Sequence, residues 1–123
     1  MKKSVLIIDD FENSLFVTGF TIEKSGYNIH KAISGKKALE ILKSNVNIDL
    51  VITDYNMPEM NGLQFIDQMK SIPGKDHIPI FVLSTESKEE VRKAAIALGA
   101  TLWIRKPFKA DALVEYIKRA IGD

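Results

Sequence analysis

The chain has 123 residues, of which 46% are hydrophobic, with 17 basic and 16 acidic side chains and no cysteine. That length holds one domain, and the apolar fraction supports a packed core, which argues against a disordered chain. A net charge of +1 lacks the basic excess of a nucleic-acid-binding domain, and without cysteine there are neither disulfides nor thiolate metal sites.

The first apolar run, Val5 to Ile8 in "MKKSVLIIDD", predicts a strand. Two lysines before it superficially suggest a signal peptide, but two aspartates follow at once, which speaks against export. No run approaches the roughly 18 apolar residues of a membrane helix. The expected location is the cytoplasm, without membrane insertion. Leu15, Phe16, Phe20 and Ile22 predict a first helix with these side chains mostly on one side, ending at the turn Ser25-Gly26-Tyr27. A weaker strand follows from Asn28, "NIHKA". Ala38, Leu39, Ile41 and Leu42 predict a second helix, capped by Ser34. Leu50 to Ile52 form a third strand that stops at Thr53-Asp54. Leu63, Phe65, Ile66 and Met69 mark a third helix ending before Pro73-Gly74, and "IPIFVL" from Ile78 marks a fourth strand. A fourth helix carries Val91, Ala94, Ala95 and Leu98 and is closed by Gly99. "TLWIR" from Thr101 predicts a fifth strand, and Leu113, Tyr116, Ile117 and Ile121 a last helix.

Short apolar runs that do not alternate indicate strands covered on both faces. Five βα repeats therefore predict an α/β fold, a doubly wound parallel five-stranded sheet with helices on both faces. A single domain over residues 1–123 is expected, with no output domain after the fifth helix.

In open α/β sheets, ligand sites form beyond the carboxyl ends of the strands. Here those ends carry Asp9-Asp10, Asp54, Ser84-Thr85 and Lys106-Pro107. Each fragment has an ordinary explanation. Asp9 and Asp10 could cap the first helix, Ser84 or Thr85 the fourth with Glu89 or Glu90 in support, and Asp54 could begin a turn with Asn56 and Pro58. Lys106 could be a surface lysine. These explanations must all hold independently, whereas one site accounts for them together. Two carboxylates about 4 Å apart repel by roughly 4 kcal/mol at an effective dielectric near 20, so three on one rim should raise a pKa or recruit a cation. Oxygen donors without His or Cys favour Mg²⁺ before Ca²⁺, and His30 and His77 fall away from these ends. A cation, an ammonium and a hydroxyl around one carboxylate point to phosphoryl chemistry, with Asp54 as the nucleophile that becomes an acyl phosphate.

The motifs "IIDD" (7–10), "DYNMPEMNG" (54–62), "VLSTE" (82–86) and "KPF" (106–108), at these spacings, make the whole chain resemble the receiver domains of two-component response regulators, chemotaxis-type and stand-alone. The resemblance implies a flavodoxin-like strand order 2-1-3-4-5. It implies that Asp54 accepts a phosphoryl group from a histidine kinase or a histidine phosphotransfer protein. Asp10 and Asp54 would bind Mg²⁺ through carboxylates, Asn56 through its carbonyl, and Asp9 through a water. Ser84 and Lys106 would hold the phosphoryl group, a cis Lys106–Pro107 bond would aim the lysine inward, and Gly62 would provide the turn into the third helix. Asn56 and Glu86 stand where the family tunes the phosphoryl lifetime, and this pair implies a short-lived signal. Trp103 occupies the switch position that the family usually fills with Tyr or Phe, which leaves the coupling to output less defined than phosphorylation. A downstream protein would bind the face of helix four, strand five and helix five, around Arg92, Lys93, Trp103, Arg105, Lys109, Tyr116 and Lys118. The domain itself is expected to be a monomer and to turn over no separate substrate.

Three other readings are open. A pseudo-receiver would bind partners without phosphorylation, against the intact set of Asp9, Asp10, Asp54, Ser84 and Lys106. A phosphohydrolase would need a second carboxylate two residues after the nucleophile, where Asn56 stands. A flavin-binding fold would need a phosphate loop rich in Ser, Thr and Gly, where this chain has "DDFENS".

Overall fold

In the computed structural model, which describes residues 2–122, the apolar runs become five strands and the periodic segments five helices. The order is β1 (Ser4–Ile8), α1 (Glu12–Lys24), β2 (Asn28–Ala32), α2 (Gly35–Lys43), β3 (Leu50–Asp54), α3 (Gly62–Lys70), β4 (Ile80–Ser84), α4 (Glu89–Leu98), β5 (Leu102–Arg105) and α5 (Ala110–Ile121). The strands make one parallel sheet in the order β2-β1-β3-β4-β5. Its register aligns Ile8 with Thr53, Asp54 with Leu83 and Ser84 with Arg105, so the carboxyl ends of β1, β3, β4 and β5 share one rim.

Successive side chains of a strand point to opposite faces, and this divides the core in two. Leu6, Ile8, Val51 and Val82 pack with Ala38 and Leu39 of α2, Phe65 and Met69 of α3 and Ala95 of α4. Val5, Ile7, Leu50, Ile52, Phe81 and Leu83 pack with Leu15 and Ile22 of α1 and Leu113 and Ile117 of α5. Every residue of β3 and β4 is buried, which is why their sequences run apolar without alternation. Each fully buried Leu, Ile or Phe contributes roughly 1.5–3 kcal/mol of transfer free energy.

Local signals set the helix ends. The Ser34 hydroxyl accepts from the Lys37 N–H at 3.1 Å, as the sequence predicts. Asn61 and Gln64 form a reciprocal capping box at the start of α3, with bonds of 3.0 and 2.9 Å. Gly99 closes α4 at φ 117°, a left-handed conformation that suits glycine.

α1 departs from expectation. Its buried residues are Leu15, Gly19 and Ile22, whereas Phe16 and Phe20 are 62% and 57% exposed. At about 100° per residue, Leu15 and Ile22 lie nearly in line and Phe16 points about 100° away. Gly19 completes the inner face because a Cβ there would sit 2.8 Å from Lys31 Cε and 3.1 Å from Ile29 Cδ1. α1 thus lies close to β2 at Gly19, and the phenyl rings stand on the outward side. Among the described residues, no helix is long and apolar enough to cross a membrane.

Candidate functional site

The site begins where the first strand ends. The Asp9 N–H donates to the Ala32 carbonyl at 3.1 Å, extending the sheet one residue past β1. The Asp9 carboxylate accepts from the Phe11 N–H at 3.0 Å. α1 starts at Glu12 with no side-chain cap, so neither Asp9 nor Asp10 caps that helix. Asp9 is buried and Asp10 exposed at the surface of the same turn.

Asp54 closes β3 and is buried. The chain after it stays on the sheet, because the Tyr55 N–H donates to Leu83 at 2.9 Å. It then swings out through exposed Asn56 and returns where the Gly62 N–H meets the Tyr55 carbonyl at 2.8 Å. A Cβ on Gly62 would stand 3.1 Å from Tyr55 Cα and 3.3 Å from the Asp54 carbonyl oxygen, so the return needs glycine for close backbone approach. Within the loop, Glu59 adopts φ 69° and buried Met57 joins the core. The Met60 sulfur packs against Gly35 at the start of α2, where a Cβ would be only 2.6 Å away. Side chains on both flanks thus hold the loop that carries Asn56.

Ser84 closes β4 and is 1% exposed. Its Oγ accepts from the Glu86 N–H at 2.8 Å, while the helix it could have capped starts only at Glu89, after Lys88. Lys106 is pinned to the same strand end by its N–H, which donates to the Ser84 carbonyl at 2.8 Å, and the Lys106–Pro107 bond is cis, as expected. Its ammonium forms an ion pair and hydrogen bond with Asp54 Oδ1. This lysine is therefore not an ordinary surface lysine, and Asp54 is not the head of a turn.

Carboxylate oxygens of Asp9, Asp10 and Asp54 all lie within 4.8 Å of one another. Burial raises the Asp9 carboxyl above its ordinary range; the Phe11 N–H opposes this, the Asp54 charge reinforces it, Lys106 opposes and Asp10 reinforces. One ammonium faces three acidic groups, so the cluster has room for more positive charge. An oxygen-only donor set of this kind suits a hard divalent cation.

Glu86 and Trp103 lie outside this cluster. The Glu86 carboxylate accepts from the Lys88 N–H at 2.9 Å, at the start of α4. The Trp103 ring, half-buried on β5, packs at 55° on Tyr55 with centroids 5.6 Å apart, in the residue next to Asp54. Trp103, Arg105, Phe108, Lys109 and Tyr116 line a shallow cleft between β5 and α5. Arg92, expected on that side, is paired with Glu89 along α4. Sequence reasoning missed a second cleft, about 650 Å³, that opens beside Asp9 and Lys106 between α1 and α5. Asn13, Val17, Thr85 and Phe108 line it. Only the packing of two distant helices creates it, and no local pattern announces it.

The family model described as the response regulator receiver domain matches residues 5–118. The chain is 32% identical over 119 residues to Chemotaxis protein CheY1 of Helicobacter pylori, covering 96% of each. It is 38% identical over 125 residues to a protein-glutamate methylesterase/protein-glutamine glutaminase of Treponema pallidum, of which the match covers 30%. Among solved structures, chemotaxis response regulator CheY4 of Vibrio cholerae superposes with a TM-score of 0.90 at 30% identity, over 98% of this chain and 99% of that one.

Proposed function

The chain belongs to the response regulator receiver domain family, and from that premise we propose that it is a phosphorylation switch of a two-component system, with Asp54 as the phosphoacceptor. The observation that carries this is the meeting of Asp9, Asp10 and Asp54 oxygens within 4.8 Å, with Lys106 on Asp54. A deprotonated Asp54 oxygen attacks the phosphorus of a phosphohistidine on a kinase or phosphotransfer protein. The new O–P bond forms as the P–N bond breaks, and the imidazole leaves with the electron pair and takes up a proton.

Mg²⁺ fits the carboxylate cluster; the Asp10 and Asp54 carboxylates and the Asn56 carbonyl would hold it, with Asp9 in support, and it would supply charge neutralisation for the transferring group. Lys106 exchanges its Asp54 oxygen for a phosphoryl oxygen and keeps an ammonium beside the added charge. The Ser84 hydroxyl, which already accepts from Glu86, retains its own proton to donate to the phosphoryl group. Asn56 and Glu86 flank the path of the water that later hydrolyses the acyl phosphate. Glu86 reaches that path by leaving the Lys88 N–H.

Phosphorylation then shifts the population of a face built from α4, β5 and α5 toward the form a target protein binds, with Trp103 as the moving element. The likeness to chemotaxis proteins supports a cytoplasmic signalling role of that type, without turnover of a separate substrate. The test is intact-mass measurement after incubation with a small phosphodonor, with and without Mg²⁺, beside Asp54→Asn. A single phosphoryl adduct that requires both Mg²⁺ and Asp54 supports the proposal. No adduct under conditions that label a known receiver overturns it and leaves a phosphorylation-independent interaction module.

A further inference from the structure

The outward side of α1 plays no part in the site. Glu12, Phe16, Phe20 and Lys24 follow one another at intervals of four, from the first residue of the helix to the last, and all four are exposed. Residues spaced by four form one continuous ridge on a helix. The two rings stack at 13° with centroids 6.3 Å apart, and Lys31 lies over Phe16, 5.3 Å from its centroid. Neither Glu12 nor Lys24 is in an ion pair among the described residues. The end charges also complement the helix dipole, which explains the charges and not two phenyl rings left in water.

We propose that this ridge is a contact between two copies of the chain, packed antiparallel about a two-fold axis that passes between Phe16 and Phe20. Turned end for end, the ridge complements itself. Glu12 of one copy meets Lys24 of the other, Phe16 meets Phe20, and the same pairs recur across the axis, as an isologous interface requires. A second copy therefore satisfies the unpaired charges and covers both rings with one surface. Burying four phenyl rings that are 57–62% exposed removes about 500 Å² of apolar surface. That is below a standard interface of roughly 1,200–2,000 Å², so the dimer is weak and concentration-dependent.

The test needs neither metal nor phosphodonor and so stands apart from the phosphorylation proposal. Sedimentation of the full chain in EDTA, from about 5 µM to about 1 mM, covers dissociation constants of the expected order. The expected result is a monomer–dimer equilibrium that Glu12→Lys or Lys24→Glu each weakens about tenfold, because two attractive pairs become repulsive. Mixing these two single variants should restore association as a heterodimer, since one ridge is then wholly basic and the other wholly acidic. Phe16→Ser with Phe20→Ser should abolish the dimer while circular dichroism stays unchanged. A chain that is monomeric throughout, or a dimer indifferent to the charge changes and to mixing, overturns the proposal.

Discussion

Replacing Lys106 by Met measures how strongly the rim is held against its own charge. The ammonium pairs with Asp54, and the two side chains are only 28% and 11% exposed. Without it, Asp54 faces Asp9 and Asp10 with oxygens within 4.8 Å, where each carboxylate pair repels by about 3.5 kcal/mol or more at an effective dielectric of 20. Breaking a fully buried pair costs about 3–5 kcal/mol, and a charged hydrogen bond contributes about 1.5–3. Partial exposure of the lysine places the expected loss near 2 kcal/mol. With a urea m-value of about 1–3 kcal/mol/M, the unfolding midpoint in EDTA should fall by about 1 M. The same substitution made in Asp54→Asn should cost little, because the charge that needs the ammonium is gone, and the cycle isolates a coupling of about 2 kcal/mol. Equal losses in the two backgrounds would refute the reasoning, since the lysine would then contribute through packing alone.

Asp9→Asn should stabilise the cation-free protein by about 1 kcal/mol near neutral pH, because an amide keeps the bond from the Phe11 N–H and removes a buried charge. The sign in pH follows from the raised carboxyl. Its stabilising contribution is fully present below the ordinary value of 3.8 and is lost as pH rises through the higher folded-state value. The advantage of the variant should therefore shrink as the pH of thermal melts falls toward 4, and an advantage that grows on acidification would contradict this. Gly62→Ala should destabilise by about 1–2 kcal/mol in urea titration despite better helix propensity, because the methyl would meet Tyr55 Cα at 3.1 Å; a stabilised variant would show that the loop can yield. Trp103 is the single tryptophan and touches Tyr55, so its emission should change when a phosphodonor is added to the native chain. No change should occur in Asp54→Asn, and an unaltered spectrum on a protein phosphorylated by mass would remove Trp103 from the switch.

Much of this was legible from spacing alone. Buried parallel strands need apolar residues on both faces, so "VLII", "LVI" and "IPIFVL" announced themselves as β1, β3 and β4. Ser34 and Gly99 are local backbone solutions, and the Ser34 cap and the Gly99 closure were predicted where they occur. The acidic cluster was legible too, because polar residues directly after buried strands must all emerge on one rim. Three things were not. The face that α1 buries depends on how closely it approaches β2, a tertiary distance that made Gly19 an inner residue and Phe16 and Phe20 outer ones. Whether Ser84 served a helix or a site depended on where α4 starts, four residues beyond Thr85. The backbone contact that anchors Lys106 depended on β5 lying beside β4, with its N–H fixed to Ser84. A linear pattern determines which residues must be buried and which backbone turns are allowed. The identity of each residue's neighbour across the sheet is decided only when the strands assemble, because that contact joins segments tens of residues apart.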